Sequence, residues 1–227
     1  SRLQNSISGE SCADVASALC TNPSHIRDLD LSWCKLGDSG VKKLCDLLKK
    51  HECKLETLRL KNSISGKSCA DVASALCTNP SHIRYLDLSE CKLGDSGVKK
   101  LCDLLKKHEC KLETLRLQNS ISDESCADVA SALCTNPSHI RDLDLSECKL
   151  GDSGVKKLCD LLKKHECKLE TLRLRDCSIT DGGAALTEAL RLNSSHLKEL
   201  NLSWNKLKDS VLHELQEILQ SSGGKLQ

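Results

Sequence analysis

Several strings in this sequence have the residue types of chemistry. Gly37-Asp38-Ser39-Gly40 has the form of a serine-protease nucleophile string, Gly66-Lys67-Ser68 the form of the end of a phosphate-binding loop, and His51-x-Cys53 the types of a metal site. A nucleophilic serine needs a base and an orienting acid at fixed positions around it. Gly-Asp-Ser-Gly instead recurs at 94–97 and 151–154, each time in the same surrounding text, which reads as a scaffold turn. The phosphate loop requires a glycine at position 61, where Lys61 stands. His51/Cys53 returns as His108/Cys110 and His165/Cys167 with no second ligand pair nearby. No catalytic residue, metal or cofactor is expected, and the chain is read as a non-enzyme.

What recurs is the whole text. Cys12, Cys69 and Cys126 open the same string, SCADVASALCTNPSHIR, so residues 1–57, 58–114 and 115–171 are near-copies and 172–227 a diverged fourth. A fixed period of this size marks a stack of small modules. Each unit splits into halves of 28 and 29 residues carrying L-x-x-L-x-L, as in LETLRLKNSI (Leu55 to Ile64) and IRYLDLSECKL (Ile83 to Leu93). Period-2 alternation points Leu58 and Leu60, or Leu86 and Leu88, inward and Arg59 and Asp87 outward. The following Asn or Cys is expected to turn inward and satisfy backbone groups.

Helices follow the strands. Val41, Leu44, Cys45 and Leu48, and likewise Cys12, Val15, Ala16 and Leu19, fall at i, i+3, i+4, i+7. Asp38 and Ser39 suit an N-cap, and Pro23 ends the earlier helix. Strands are predicted at 1–3, 26–31, 55–60, 83–88, 112–117, 140–145, 169–174 and 197–202. The fold class is therefore α/β: a leucine-rich-repeat solenoid (horseshoe) over 1–227, with about eight repeats, a parallel sheet on the concave face and helices on the convex face. Ser1 stands where the other copies have an inward leucine, so the first repeat is expected to be cut, and SSGGKLQ is expected to trail off.

These residues resemble the ribonuclease-inhibitor-like class of leucine-rich repeats. SCADVASALCTNPSHIRDLDLS and CKLGDSGVKKLCDLLKKHECKLETLRL are similar to the C-terminal repeat domain of NOD-like receptors, in particular the fish members of the NLRP/NLRC type. One departure is local: Leu60-x-Asn62-Ser-Ile64 is one residue shorter than Leu174-x-x-Cys177-x-Ile179. The resemblance implies a cytoplasmic innate-immune receptor with a nucleotide-binding module N-terminal to this segment.

The near-copies are their own control. Apart from position 1, they differ at five columns: Gln4/Lys61/Gln118, Gly9/Gly66/Asp123, Glu10/Lys67/Glu124, Asp28/Tyr85/Asp142 and Trp33/Glu90/Glu147. The fourth unit continues the strand columns with Arg175, Glu199 and Trp204. Three columns fall at or just past outward strand positions, two at the turn into a helix, and the helix exteriors (Lys42, Lys43, Lys49, Lys50) do not vary. Contact selection and chance after recent duplication both produce such a pattern. Contact selection makes Trp33, Tyr85, Trp204, Glu90, Glu147, Lys61, Gln118, Arg175, Asp28 and Asp142 the candidate ligand-binding residues, with the three aromatics as anchors. Arg2, Arg59, Arg116 and Arg173 alternate with Asp30, Asp87, Asp144 and Asn201, which reads as a solvated ion-pair ladder or, alternatively, a ligand clamp.

With 33 Lys+Arg against 32 Asp+Glu and no long apolar run, neither nucleic acid nor membrane is expected as partner. The partner is a protein or peptide, or the receptor's own nucleotide-binding domain. Sixteen cysteines without phenylalanine or methionine suit a small-residue core of reduced thiols. Equivalent cysteines such as Cys34, Cys91 and Cys148 stand two repeats apart, about 9–10 Å, too far to bridge. Cys148 and Cys177, in adjacent repeats, are the expected pair under oxidation. Asn193-Ser-Ser and Asn201-Leu-Ser are glycosylation sequons that matter only outside the cell. A tight ribonuclease inhibitor and an engineered consensus array without ligand are the alternatives.

Overall fold

The computed structural model describes residues 14, 17, 18, 20–193 and 196–227. The expected strand 1–3, Cys12, Val15, Ala16, Leu19, Arg2, Gln4, Gly9 and Glu10 lie outside them. The chain divides into two compact units, Ser1–Leu115 and Arg116–Gln227.

The first unit alternates β1 (Asp28–Asp30), α1 (Gly37–Lys49), β2 (Thr57–Arg59), α2 (Lys67–Cys77), β3 (Tyr85–Asp87) and α3 (Gly94–Lys106). Its strands pair in parallel with no slip: Leu29 faces Leu58, which faces Leu86. Strand β4 (Thr114–Arg116) lies at the division. The second unit runs α4 (Asp123–Thr135), β5 (Asp142–Asp144), α5 (Gly151–Lys163), β6 (Thr171–Arg173), α6 (Gly183–Leu192), β7 (Glu199–Asn201), α7 (Asp209–Ser221) and β8 (Lys225–Leu226). Leu143, Leu172, Leu200 and Leu226 are paired in parallel succession.

Strands β1 to β7 are three residues long, half the span expected of a full six-residue strand, because each repeat keeps ladder geometry only around its central leucine. That leucine and the one two residues on are buried, as at Leu58 and Leu60, while Arg59 between them remains part-exposed. Helix α1 buries Val41, Leu44, Cys45 and Leu48 as its spacing requires. Cys69, Val72, Ala73 and Leu76 do the same for α2.

The Gly-Asp-Ser-Gly string is explained by its two ends. Gly94 sits at φ +68°, left-handed backbone that favours glycine. A Cβ on Gly97 would lie 3.0 Å from Leu93 Cβ and 3.3 Å from Cys69 Cβ, so the second glycine lets the helix seat against its neighbour. Neither Asp38 nor Ser39 caps α1: the helix already begins at Gly37, and Asp38 lies in its first turn, where a carboxylate favours the positive end of the dipole.

Two further expectations are corrected. The tail does not trail off: Gly223, at φ +81°, reverses the chain after α7, and Lys225–Leu226 adds a parallel strand to β7. Lys225 N donates to Lys198 O (2.7 Å) and Gln227 N to Leu200 O (2.8 Å). In the short turns, the inward residue is the serine, not Asn62 or Asn119. Asn62 is exposed at φ +53°, while Ser63 is buried with its hydroxyl donating to Leu60 O at 2.7 Å; Ser120 repeats this with Leu117 O at 2.6 Å. Counting three residues on from the second strand leucine aligns Ser63 with Cys91, whose Sγ donates to the same Leu60 carbonyl.

Candidate recognition surface

Within each unit, three of the five variable columns lie on or just after the strands, and copy-specific residues meet there. In the first unit, Trp33 follows β1 in left-handed backbone at φ +65° and donates its N–H to Lys61 O at 2.7 Å. The Lys61 ammonium lies 5.8 Å from the centroid of the Trp33 ring, which is 45 % exposed. One strand position earlier, the Arg59 guanidinium is 4.7 Å from the Tyr85 ring centroid and 3.1 Å from Asp28. Partial burial works against the Arg59 charge, and the Tyr85 hydroxyl and Asp28 more than restore it, so its pKa is raised.

The second unit builds the same positions with other chemistry. Glu147, again left-handed at φ +60°, donates its N–H to Arg175 O, and its carboxylate hydrogen-bonds the Arg175 guanidinium. Asp142 lies between two guanidiniums, 3.4 Å from Arg116 and 2.9 Å from Arg173. Trp204 occupies the left-handed position after β7 at φ +62° and is 78 % exposed. Glu90, at φ +62°, and Gln118 are half-buried at the corresponding positions of their own units. The unvarying Arg59, Arg116 and Arg173, which the sequence offers as an ion-pair ladder or a ligand clamp and not among the ten copy-specific candidates, bind the aspartates of that set. Comparison of copies cannot detect a residue that every copy shares.

The expected ion-pair ladder is therefore corrected. The carboxylates opposite the arginines at mid-strand turn back onto their own chain: Asp30, Asp87 and Asp144 each accept the N–H two residues on, all at 2.9 Å. Asn201 does the same for Ser203 at 3.0 Å. Such a bond closes the tight turn after the strand. The arginines pair instead with the first residue of the strand, at Asp28 and Asp142.

The left-handed turn is costly for the residues it holds. The turns after β2, β4 and β6 fill it with Asn62, Asn119 and Asp176, which tolerate that region, whereas those after β1, β3, β5 and β7 place Trp33, Glu90, Glu147 and Trp204 there. For a residue with a bulky side chain, left-handed backbone costs about 1–2 kcal/mol. Strain of this kind concentrates at functional sites.

The remaining candidates resolve as structure. His51 is 93 % exposed beside Glu52, while Cys53 is buried, so the two point apart. Asn193 donates to Leu162 O and Lys164 O at the end of α5, which commits this sequon to holding a helix terminus. Among the described residues none of the fifteen cysteines is in a disulfide, and twelve are buried. Burial pushes Cys45 and Cys159 up to about 11 and Cys177 to about 12. No group of three potential metal ligands occurs among the described residues. Among them too, no helix is long and apolar enough to cross a membrane.

Short parallel strands, a helix per strand and an inward Ser, Cys or Asn at each turn make this a leucine-rich-repeat domain. A leucine-rich-repeat family model matches residues 22–45, 79–102, 136–159, 165–186 and 193–210. The chain is similar to human "NACHT, LRR and PYD domains-containing protein 12", 39 % identical over 97 % of this chain and 21 % of that protein. Bovine "NACHT, LRR and PYD domains-containing protein 3" is 37 % identical over 96 % of this chain and 21 % of its own length. Mouse "Ribonuclease inhibitor" is 37 % identical over 99 % of this chain and 49 % of its own. The chain thus spans about a fifth of the two NACHT, LRR and PYD domains-containing proteins and half of the ribonuclease inhibitor. Among solved structures, a Leptospira interrogans leucine-rich-repeat protein matches with a TM-score of 0.57 at 17 % identity, over 90 % of this chain and 43 % of that one. A Listeria monocytogenes internalin matches at 0.53 and 16 %, over 92 % and 56 %. These two bear on the fold alone.

Proposed function

We propose that this chain is the ligand-sensing or regulatory repeat domain of a cytoplasmic innate-immune receptor of the NOD-like kind. Its strand-edge face engages a protein or peptide partner, or the receptor's own nucleotide-binding domain. One observation carries the reading: at the strand columns where near-identical copies differ, the differing residues contact each other, directly or through an unvarying arginine. Trp33 meets Lys61, Tyr85 meets the Arg59–Asp28 pair, and Glu147 meets Arg175. Independent drift would scatter differences along the exposed helix faces, where beyond the first turn (Lys67, and Asp123 with Glu124) the described copies are unchanged. Similarity to the NACHT, LRR and PYD domains-containing proteins supports the receptor context. Trp33, Tyr85 and Trp204 serve as anchors, and Glu90, Glu147, Lys61, Gln118, Arg175, Asp28 and Asp142 set the polar pattern around them.

A photo-crosslinking amino acid placed at position 90, against one at Lys99 on α3, tests this in the receptor that contains the chain. Partner adducts from position 90 alone are expected; adducts from 99 alone overturn the reading. The near-equal similarity to ribonuclease inhibitor favours a second reading, enzyme inhibition by the same face. Titration of pancreatic-type ribonuclease activity with the chain separates the two: stoichiometric inhibition supports the second reading, and unchanged activity removes it.

A further inference from the structure

Trp33 and Lys61 differ from their counterparts in the second unit in one chemical respect. There Glu147 gives its carboxylate to Arg175, so the cation is neutralised within the chain. Lys61 meets an aromatic ring instead. Among the described residues no carboxylate pairs with its ammonium. The acids of the flanking strands are committed elsewhere, Asp28 to Arg59, and Asp30 and Asp87 to their own turns. An ammonium has three N–H donors and no acceptor, and the face of a ring engages it from one side only.

We infer that the protein or peptide partner of the first unit brings an aspartate or glutamate side chain to Lys61 and lays apolar surface on Trp33. The inference rests on the recognition reading and adds the partner's charge to it. An aromatic anchor acts by being buried, and the Trp33 ring is 45 % exposed before the partner arrives. A partner that covers the ring also strips water from the ammonium 5.8 Å from its centroid. A cation desolvated without a counter-charge opposes binding, whereas a carboxylate turns that loss into a charge-assisted hydrogen bond. Glu147 shows that a carboxylate fits beside a cation at these turns. Arg59, one strand position earlier, is no second acceptor of acid, because Asp28 and the Tyr85 ring already occupy it.

The main chain at position 61 takes no part in the choice. The Lys61 carbonyl accepts from Trp33 N at 2.7 Å, and the Lys61 N–H donates to Ser32 Oγ at 3.2 Å. Side-chain changes at this position therefore leave the turn in place, and Gln118 stands in the same column of the third copy.

The probe is a random peptide library displayed on phage through the peptide C-termini, so that every acid offered is a side chain. Phage are selected on the 227-residue chain, and the clones that fail to bind Trp33→Ala define the face. These clones are expected to share an Asp or Glu. Made as amidated peptides, they should bind Lys61→Gln about tenfold more weakly, the effect of losing one partly desolvated charge pair. Lys61→Arg should retain their affinity, and Lys61→Glu should select peptides carrying Lys or Arg instead. All four variants should melt close to the parent. Trp33-dependent clones without a shared acid, or with equal affinity for Lys61→Gln, overturn the inference and leave recognition by this face standing. A selection that yields no Trp33-dependent clone overturns the recognition reading at these turns, and the inference with it.

Discussion

Trp33 and Lys61 are joined twice, by a 2.7 Å main-chain hydrogen bond and by the ammonium over the indole ring. Glu147 and Arg175 repeat the main-chain bond at 2.8 Å but meet through opposite charges. One backbone device thus holds two different recognition chemistries, and exchanging the pair changes what the face offers without changing the turn.

Lys61→Ala removes the cation from the Trp33 ring. In a Trp204→Phe background, where Trp33 is the only tryptophan, the emission spectrum is expected to shift. Urea melts should lose about 0.5 kcal/mol. An unchanged spectrum would separate the two residues in solution.

Trp204→Asn replaces a strained residue by one that tolerates left-handed backbone. Stability in urea should rise by about 1 kcal/mol. Trp204→Ala, which keeps most of the backbone strain, should rise by less. Equal melts for all three proteins would mean that the turn stores no strain.

Asn205 occupies the position that Cys34, Cys91 and Cys148 hold in the other copies. Its amide donates to Leu174 O (2.7 Å) and Leu202 O (2.9 Å), and its oxygen accepts from Cys177 N and Ile179 N, both at 3.0 Å. Asn205→Ala leaves these part-buried groups unpaired and should cost roughly 2–3 kcal/mol. Asn205→Cys, the residue of the sister copies, should recover part of that loss in the same denaturant titration.

Asp152 carries the pH dependence that can be assigned. Its carboxylate accepts the N–H and hydroxyl of Thr180 (3.0 and 2.8 Å), and these bonds hold its pKa below the ordinary 3.8. Because the folded pKa is the lower one, its contribution to stability is complete above the unfolded pKa and is lost as pH falls through the folded one. Asp152→Ala should therefore melt below the parent chain at pH 7, and the gap should close as pH falls from about 5 to below 3. A gap independent of pH would assign the loss to packing instead.

The repeat period, the inward leucines and the helix faces were legible because a stack of short modules forces the same residue types onto the same positions. Where a residue serves its own turn rather than its neighbours, periodicity carries no signal. Asp30, Asp87 and Asp144 look like partners for the adjacent arginines, yet each closes its own turn. Asn62 looks inward when the turn is counted back from Ile64, but the missing residue lies after the inward position, which counted on from Leu60 is Ser63. The last strand was missed because Lys225–Leu226 has only two residues and is placed by the Gly223 reversal, not by a hydrophobic pattern. Variation between copies did find surface positions that lie together. It could not find Arg59, which never varies and which binds two of them.

Recognition through the strand-edge face is tested most directly by the affinity of a crosslinked partner for three proteins. These are the parent chain, the Trp33→Ala/Tyr85→Ala/Trp204→Ala variant, and a helix-face control, Lys42→Ala/Lys99→Ala/Lys156→Ala. The aromatic variant should bind at least tenfold more weakly while melting close to the parent, and the helix variant should bind as the parent does. Full affinity in the aromatic variant with loss in the helix variant would contradict recognition at this face.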